Sequence, residues 1–326
     1  MPRLFLFATL ASFLPLVVQA AELSLSHDAD GITVNIDGEL FTRYLTNSEV
    51  RPVLWPVIGP TGEPMTRAYP VGEGHADEAH DHPHHRSVWV GFEGVNGVDF
   101  WHEPASGNKA FPMGMQRHRE FTKTASDGTT ATIVAVTDWV DAAGEKICED
   151  ERTWTFGTEG DDRWLGCRLI LTACEGELTF ADTKEGFFAV RVADSMNVDH
   201  KKGGRIVNSR GQTDTDAWAQ DAEWVDYQGP VAGEQLGLAI FTHPESLNHP
   251  APWHVRTYGL FAGNPLGEVA FTKTAGKVRE RPPSLVLPAG ESLVLHYRIV
   301  LHRGDEVEAS LAEKYERFSA DDSAGH

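Results

Sequence analysis

Residues 81–86 read DHPHHR and close a run in which His75, His80, His82, His84 and His85 fall within eleven positions. Imidazole at that density suits two chemistries. One is metal ligation, which needs ring nitrogens converging at about 2.0–2.1 Å from an ion. An H-x-H step such as His82–His84 points two rings to one side if the backbone is extended. The other is proton transfer near neutrality, for which histidine's ordinary pKa is suited. A solvated polar loop is the third reading, since Glu78 and Asp81 accompany the histidines. Of these, proton transfer or substrate contact by His84 or His85, with Arg86 beside them, is the leading expectation. A transition metal held by His82, His84 and His85 is the alternative, and no other cofactor is expected.

Three further stretches carry reactive side chains. In GVDFWHEP (97–104), alternation puts Asp99, Trp101 and Glu103 on one strand face. Acids flanking an aromatic plate are what sugar sites use, the ring stacking on a pyranose while the acids bind hydroxyls or move protons. A strand end with a buried Trp101 is the plain alternative. FADTKEGFFAVRV (180–192) brings Asp182, Lys184, Glu185 and Arg191 to a strand mouth, either as a salt-bridged edge or as an acid–base pair with oxygen-binding neighbours. In HPAPWHVRTYGLF (249–261), a strand over 253–260 aligns His254, Arg256 and Tyr258. That row is costly to bury without partners and suits a face holding a polar ligand. His296, Arg298 and His302 repeat the pattern on the last strand, where a solvent-facing sheet explains them equally well. Phosphate cradles, CxxC, HExxH and the G-x-S-x-G elbow are missing from the sequence.

The elements that must position these groups are strands. Period-two alternation recurs, as in GITVNIDG, where Ile32, Val34 and Ile36 share a face, and in SLVLHYRIVLH, where Leu293, Leu295, Tyr297, Ile299 and Leu301 do. Turn sequences such as DADG, ASDG, DAAG and PAG separate the runs. One helix is expected, at 305–318, with an Asp305–Glu308 capping box and a stripe of Val307, Leu311, Tyr315 and Phe318 docking on a sheet. The chain therefore reads as all-β: a large antiparallel β-sandwich with a short C-terminal helix, forming a single domain over 21–326.

Residues 1–20 read as a signal peptide: Arg3, an apolar stretch interrupted by Pro15, and small residues ending at Ala20. An exported protein, periplasmic or secreted, follows. With 48 acidic against 28 basic residues and a formal charge of −20, nucleic acid and anionic membranes are not expected partners. A small-molecule or oligosaccharide ligand is. Cys148, Cys167 and Cys174 are expected as buried free thiols, although one hairpin register brings Cys148 to Cys174.

WPVIGPTGEPMTRAYP, DHPHHRSVWVGFEGVNGVDFW, DTKEGFFAVRVA and HPAPWHVRTYGLFAGNP, in this order, resemble a large family of exported bacterial proteins of unknown function labelled PmoA-like, or methane oxygenase PmoA. The resemblance spans about residues 50–300. It implies a fold similar to the galactose mutarotase supersandwich, in which a concave sheet binds sugar between a histidine and a carboxylate, and a place among sugar-degrading functions. The label itself implies metal-dependent oxygenase-like chemistry. Taken with the residues, the expectation is a carbohydrate-active enzyme of epimerase, lyase or hydrolase type. Its catalytic groups would be His84 or His85, Glu185 and His254, and its substrate contacts Arg86, Trp101, Asp182, Lys184, Arg256 and Tyr258. A carbohydrate-binding protein without turnover would use the same inventory.

Overall fold

The computed structural model describes residues 21–76, 78–107, 110–275 and 284–321; the signal-peptide expectation for 1–20 lies outside them. The chain opens with β1 (Leu23–His27), β2 (Gly31–Ile36), β3 (Glu39–Ser48) and β4 (Arg51–Val57). After the histidine-bearing segment come β5 (Val88–Val95) and the two-residue β6 (Val98–Asp99). A long meander follows: β7 (Met115–Ser126), β8 (Thr130–Val140), β9 (Lys146–Glu159) and β10 (Asp162–Thr172). Then come β11 (Leu178–Phe180), β12 (Gly186–Arg191), β13 (Arg205–Asn208), β14 (Trp224–Val231), β15 (Glu234–Thr242), β16 (Trp253–Val255) and β17 (Leu260–Gly263). Helix α1 (Glu268–Ala275), β18 (Leu285–Leu287), β19 (Ser292–Arg303) and helix α2 (Leu311–Ser319) complete the chain.

These strands make two antiparallel sheets. The larger runs β1-β2-β3-β4-β5-β12-β17-β16, with β6, β11 and β18 attached at its side; the smaller runs β13-β14-β15-β19-β10-β9-β8-β7. One hydrophobic cluster lies between them, drawing Ile32, Val34, Val88, Val90, Phe188 and Val190 from the first sheet and Leu165, Leu169, Leu238, Leu295 and Ile299 from the second. Alternation explains the arrangement: each strand gives every second side chain to that core, as a pleated backbone requires. The chain is thus a large antiparallel β-sandwich with a short C-terminal helix.

Helix α2 packs on the far side of the smaller sheet, where Leu311 and Phe318 join Val207, Trp224, Phe241 and Val300. The stripe is shorter than the sequence suggests. Val307 is 76% exposed, because 306–310 form turns and the regular helix begins at Leu311. Asp305 and Glu308 do bond reciprocally, Glu308 N donating to Asp305 Oδ1 at 2.9 Å and Asp305 N to Glu308 Oε2 at 3.2 Å. The outward row of β19 is buried rather than solvated: His296 and His302 are covered, and His302 Nε2 lies 3.1 Å from Asp226 Oδ1. All three cysteines are free; Cys174 is exposed, against expectation, while Cys148 and Cys167 are buried.

Candidate functional site

The face of the larger sheet turned away from the core carries a second, smaller cluster: Val53, Trp89, Trp101, Ala189, Leu260 and Ala262. Strand register explains its layout. Val53 pairs with Trp89, Trp89 with Ala189, Ala189 with Ala262 and Ala262 with His254, so one rung crosses five strands. The two alanines at its centre leave room above the sheet, and Trp101 fills it, its ring centroid 5.3 Å from Trp89 and 6.5 Å from His254. Gly91 on β5 permits this. A Cβ there would stand 2.7 Å from the Phe100 carbonyl oxygen and 3.2 Å from Arg51 Nη1.

The histidine segment is fixed against this face by one buried guanidinium. Arg67 is fully buried and donates to the carbonyls of Tyr69 (3.1 Å), Ala79 (3.2 Å), His82 (2.9 Å) and His85 (3.2 Å), and to Asp81 Oδ1 at 2.5 Å. Arg191 donates to the same Asp81 oxygen at 2.9 Å. Burial pushes the Asp81 carboxyl up, but His82, Arg191 and Arg67 outweigh it and hold the group far below the usual carboxylate range. His82 and Ser87 have φ of 42° and 55°, a left-handed backbone that side chains adopt at a cost of about 1–3 kcal/mol each. The arginine contacts offset that strain.

Here the structure departs from an H-x-H strand. The rings of His82 and His85 lie face to face, 4.8 Å apart and 9° from parallel, and His82 also stacks on Tyr258 at 4.9 Å. Asp81 Oδ2 holds His82 Nδ1 at 2.7 Å and Ser106 Oγ holds His84 Nδ1 at 2.8 Å. Stacked planes do not aim their nitrogens at one point, so His82, His84 and His85 do not form a ligand set. The group of three whose potential ligand atoms do lie within 4.8 Å of one another, among the described residues, is Glu93, Asp99 and His102.

The 99–106 segment is no strand face either. Asp99 Oδ1 accepts from the backbone of Trp101 (2.8 Å) and His102 (3.1 Å), folding the chain over at the end of β6. Its other oxygen takes His102 Nδ1 at 2.9 Å. Glu103 forms a two-pronged pair with Arg86, Nε to Oε2 at 2.7 Å and Nη2 to Oε1 at 3.1 Å, and Arg86 Nη1 donates to Ser48 Oγ at 3.0 Å. Arg86 therefore anchors this turn. Trp101, expected as a stacking platform, is fully buried. Asp182, expected at the ligand, instead caps α1: it accepts from Val269 N at 2.7 Å and Ala270 N at 2.5 Å.

The remaining expected residues do converge. His254 sits on β16, but the strand ends at Val255, and Arg256–Gly259 turn with Gly259 at φ 106°. The turn swings Tyr258 over His82 and lays Arg256 5.0 Å above the Trp218 ring and 5.7 Å above Tyr258. Trp218 in turn lies 4.9 Å from His254, whose Nδ1 is 3.4 Å from Glu185 Oε2; Glu185 also pairs with Lys184. His84 closes the group 4.7 Å from His102. His84, His85 and His254 are nearly enclosed, whereas the side chains of His82 and Lys184 are 40% and 42% exposed and Arg256 is exposed.

The chain belongs to a family of unknown function, DUF6807. The family model matches residues 31–316. No curated protein matches the sequence. Two solved structures align over most of the chain. One is a polysaccharide lyase at 14% identity and a TM-score of 0.33, covering 89% of this chain and 34% of that one. The other is the GH36 α-galactosidase AgaB from Geobacillus stearothermophilus, at 12% identity and 0.33, covering 88% and 39%. The chain thus spans between about a third and two fifths of the length of these two proteins.

Electrostatics divides the site's groups by protonation state. Burial pushes His84 and His85 well below the ordinary histidine range and takes His254 down to about 4, against the pull of Glu185. All three are neutral at pH 7. Burial raises the Glu93 carboxyl and the Tyr258 phenol, the latter to about 12. Burial would raise Asp99 and Glu185 too, but His102 with backbone donors, and His254 with Lys184, hold them low. Sequence reasoning missed His102, Glu93 and Trp218. The Asp99–His102 spacing of three was the available signal, hidden by reading 97–104 as a strand.

Proposed function

We propose that this protein is an acid–base enzyme acting on a sugar, with the histidine–carboxylate layer on the larger sheet as its active site. The observation that carries this is the juxtaposition of opposite protonation states: neutral imidazoles at His84, His85 and His254, ionised carboxylates at Asp99 and Glu185, and a protonated phenol at Tyr258. Environments that push neighbouring groups apart in this way assign acid and base. His102 is the proton acceptor of the set. Donating Nδ1–H to Asp99 fixes its tautomer and leaves Nε2 as the base. Tyr258, held protonated, is the proton donor, and Glu93, whose carboxyl is raised by burial, lies beside His102 as its neighbouring acid. Glu185 orients His254. Trp218, half-buried at the rim, takes the stacking role expected of Trp101.

A sugar suits this inventory because aromatic planes alternate with hydrogen-bonding groups. Epimerase, lyase and hydrolase chemistry all need these groups. The test is product formation from a glycan panel by wild type, His102→Ala and Tyr258→Phe, with folding checked by circular dichroism. A fall of about 10²–10⁴ in kcat/KM for His102→Ala is expected. Turnover at the wild-type rate in that variant refutes the assignment. Glycan binding without product in the wild type establishes a binding protein instead.

A second reading has its own observation, the Glu93–Asp99–His102 group, whose donors suit a divalent ion. It places oxygenase-like metal chemistry there instead of at the His82–His84–His85 run. A stoichiometric transition metal in purified protein, lost in Glu93→Gln, would establish it; metal binding unchanged in that variant would not.

A further inference from the structure

The carboxylates of the site are already engaged. Asp81 is held by Arg67 and Arg191, Glu103 by Arg86, Glu185 by Lys184, Asp99 by His102, and Glu93 accepts from Thr183 Oγ1 at 2.8 Å. Arg256 has no such counterpart. It is exposed and makes no ion pair among the described residues, while the rings of Trp218 and Tyr258 hold its guanidinium at 5.0 and 5.7 Å. Stacking of this kind fixes the plane of the fork and leaves its N–H edges directed at whatever enters. In a chain of formal charge −20, an exposed arginine beside the proton-transfer groups and without an acid is a local exception to the surrounding field.

A guanidinium stacked between two rings at the mouth of the site, with no acid beside it among the described residues, favours a ligand that is negatively charged.

We propose that the ligand of this site is an acidic sugar, a uronate-bearing glycan whose carboxylate is bound by Arg256. This rests on the sugar acid–base reading above and names its substrate class. Carboxylate recognition by a stacked, two-pronged arginine is geometric as well as electrostatic, so lysine at 256 is a poor replacement.

The test is calorimetric titration of the full chain with tetragalacturonate and tetraglucuronate, and with cellotetraose as the neutral probe, for wild type, Arg256→Gln and Arg256→Lys. Uronates are expected to bind at least tenfold tighter than cellotetraose. Their affinity should weaken with added salt and fall tenfold or more in Arg256→Gln, with only partial recovery in Arg256→Lys. Equal affinity for the neutral and acidic probes, undiminished uronate binding in Arg256→Gln, or no binding of either uronate overturns the inference. Turnover of neutral glycans alone, lost in His102→Ala, overturns it while leaving the acid–base reading standing. Uronate binding through Arg256 without product does the reverse.

Discussion

Replacing Arg67 by methionine keeps most of the side chain's volume and removes the guanidinium that holds the histidine segment. Four carbonyl bonds and the bond to Asp81 disappear together. A hydrogen bond to a charged group contributes about 1.5–3 kcal/mol net and burying the guanidinium takes back several kcal/mol, so the four carbonyls account for about 4 kcal/mol. The Asp81 contact adds less than a fully buried ion pair, since that carboxylate is 39% exposed and keeps Arg191. With an unfolding entropy of about 2.1 cal/mol/K per residue over some 300 residues, a loss of about 4 kcal/mol lowers Tm by roughly 6 °C. If the segment opens locally instead, the loss shows as faster amide exchange and proteolysis within 68–86. Both readouts belong in one experiment: a thermal melt and limited proteolysis of wild type and Arg67→Met. A Tm within 1 °C of wild type, with unchanged protection of 68–86, refutes the claim that Arg67 holds the segment in place.

Acid should weaken the fold before the ordinary carboxylates titrate. Below pH 6.5 the unfolded chain protonates His84, His85 and His254 while the folded chain resists, so stability falls with pH at up to about 1.4 kcal/mol per unit for each. His118 and His296, also lowered by burial, add to the fall, and among the described residues His302, raised by Asp226, and Glu93, raised by burial, oppose it. Urea denaturation at pH 7, 6 and 5 measures the slope, and His254→Gln should make it shallower; an unchanged slope counts against a buried neutral His254. Gly91→Ala puts a methyl against Phe100 and Arg51 and should lose about 1–3 kcal/mol, seen as a lower urea midpoint. Asp182→Ala removes the cap of α1 and should lose about 0.5–2 kcal/mol by the same measurement.

The strands were legible because each has one face in the core. Ile32, Val34 and Ile36, and Leu293 through Leu301 in steps of two, are buried as the alternation requires. The same rule misled at 253–260. Polar and apolar residues go on alternating through a turn, and nothing local distinguishes Arg256 on a turn from Arg256 on a strand except Gly259. Residues brought to the site from distant segments could be named by type, as His84, His85, Glu185, His254 and Tyr258 were. Their partners could not. Arg67 reaches carbonyls up to 18 residues away, and Trp101 is buried because Ala189 and Ala262, on two other strands, are small. Asp182 has the composition of a ligand contact, and only the position of α1, 87 residues on, shows it to be a cap.

The place of β19 in the smaller sheet bears on how the chain must be assembled. This strand, the last in sequence, lies between β15 and β10, matched over ten residue pairs to β10 and seven to β15. Until residues 292–303 leave the ribosome, the smaller sheet is two separate pieces, each with a long edge of unpaired backbone. Such edges recruit other chains, and contacts this distant in sequence form slowly. This strand therefore acts as a keystone: the sheet cannot close until residues 292–303 are available, and a chain cut within β19 should aggregate rather than fold with reduced stability.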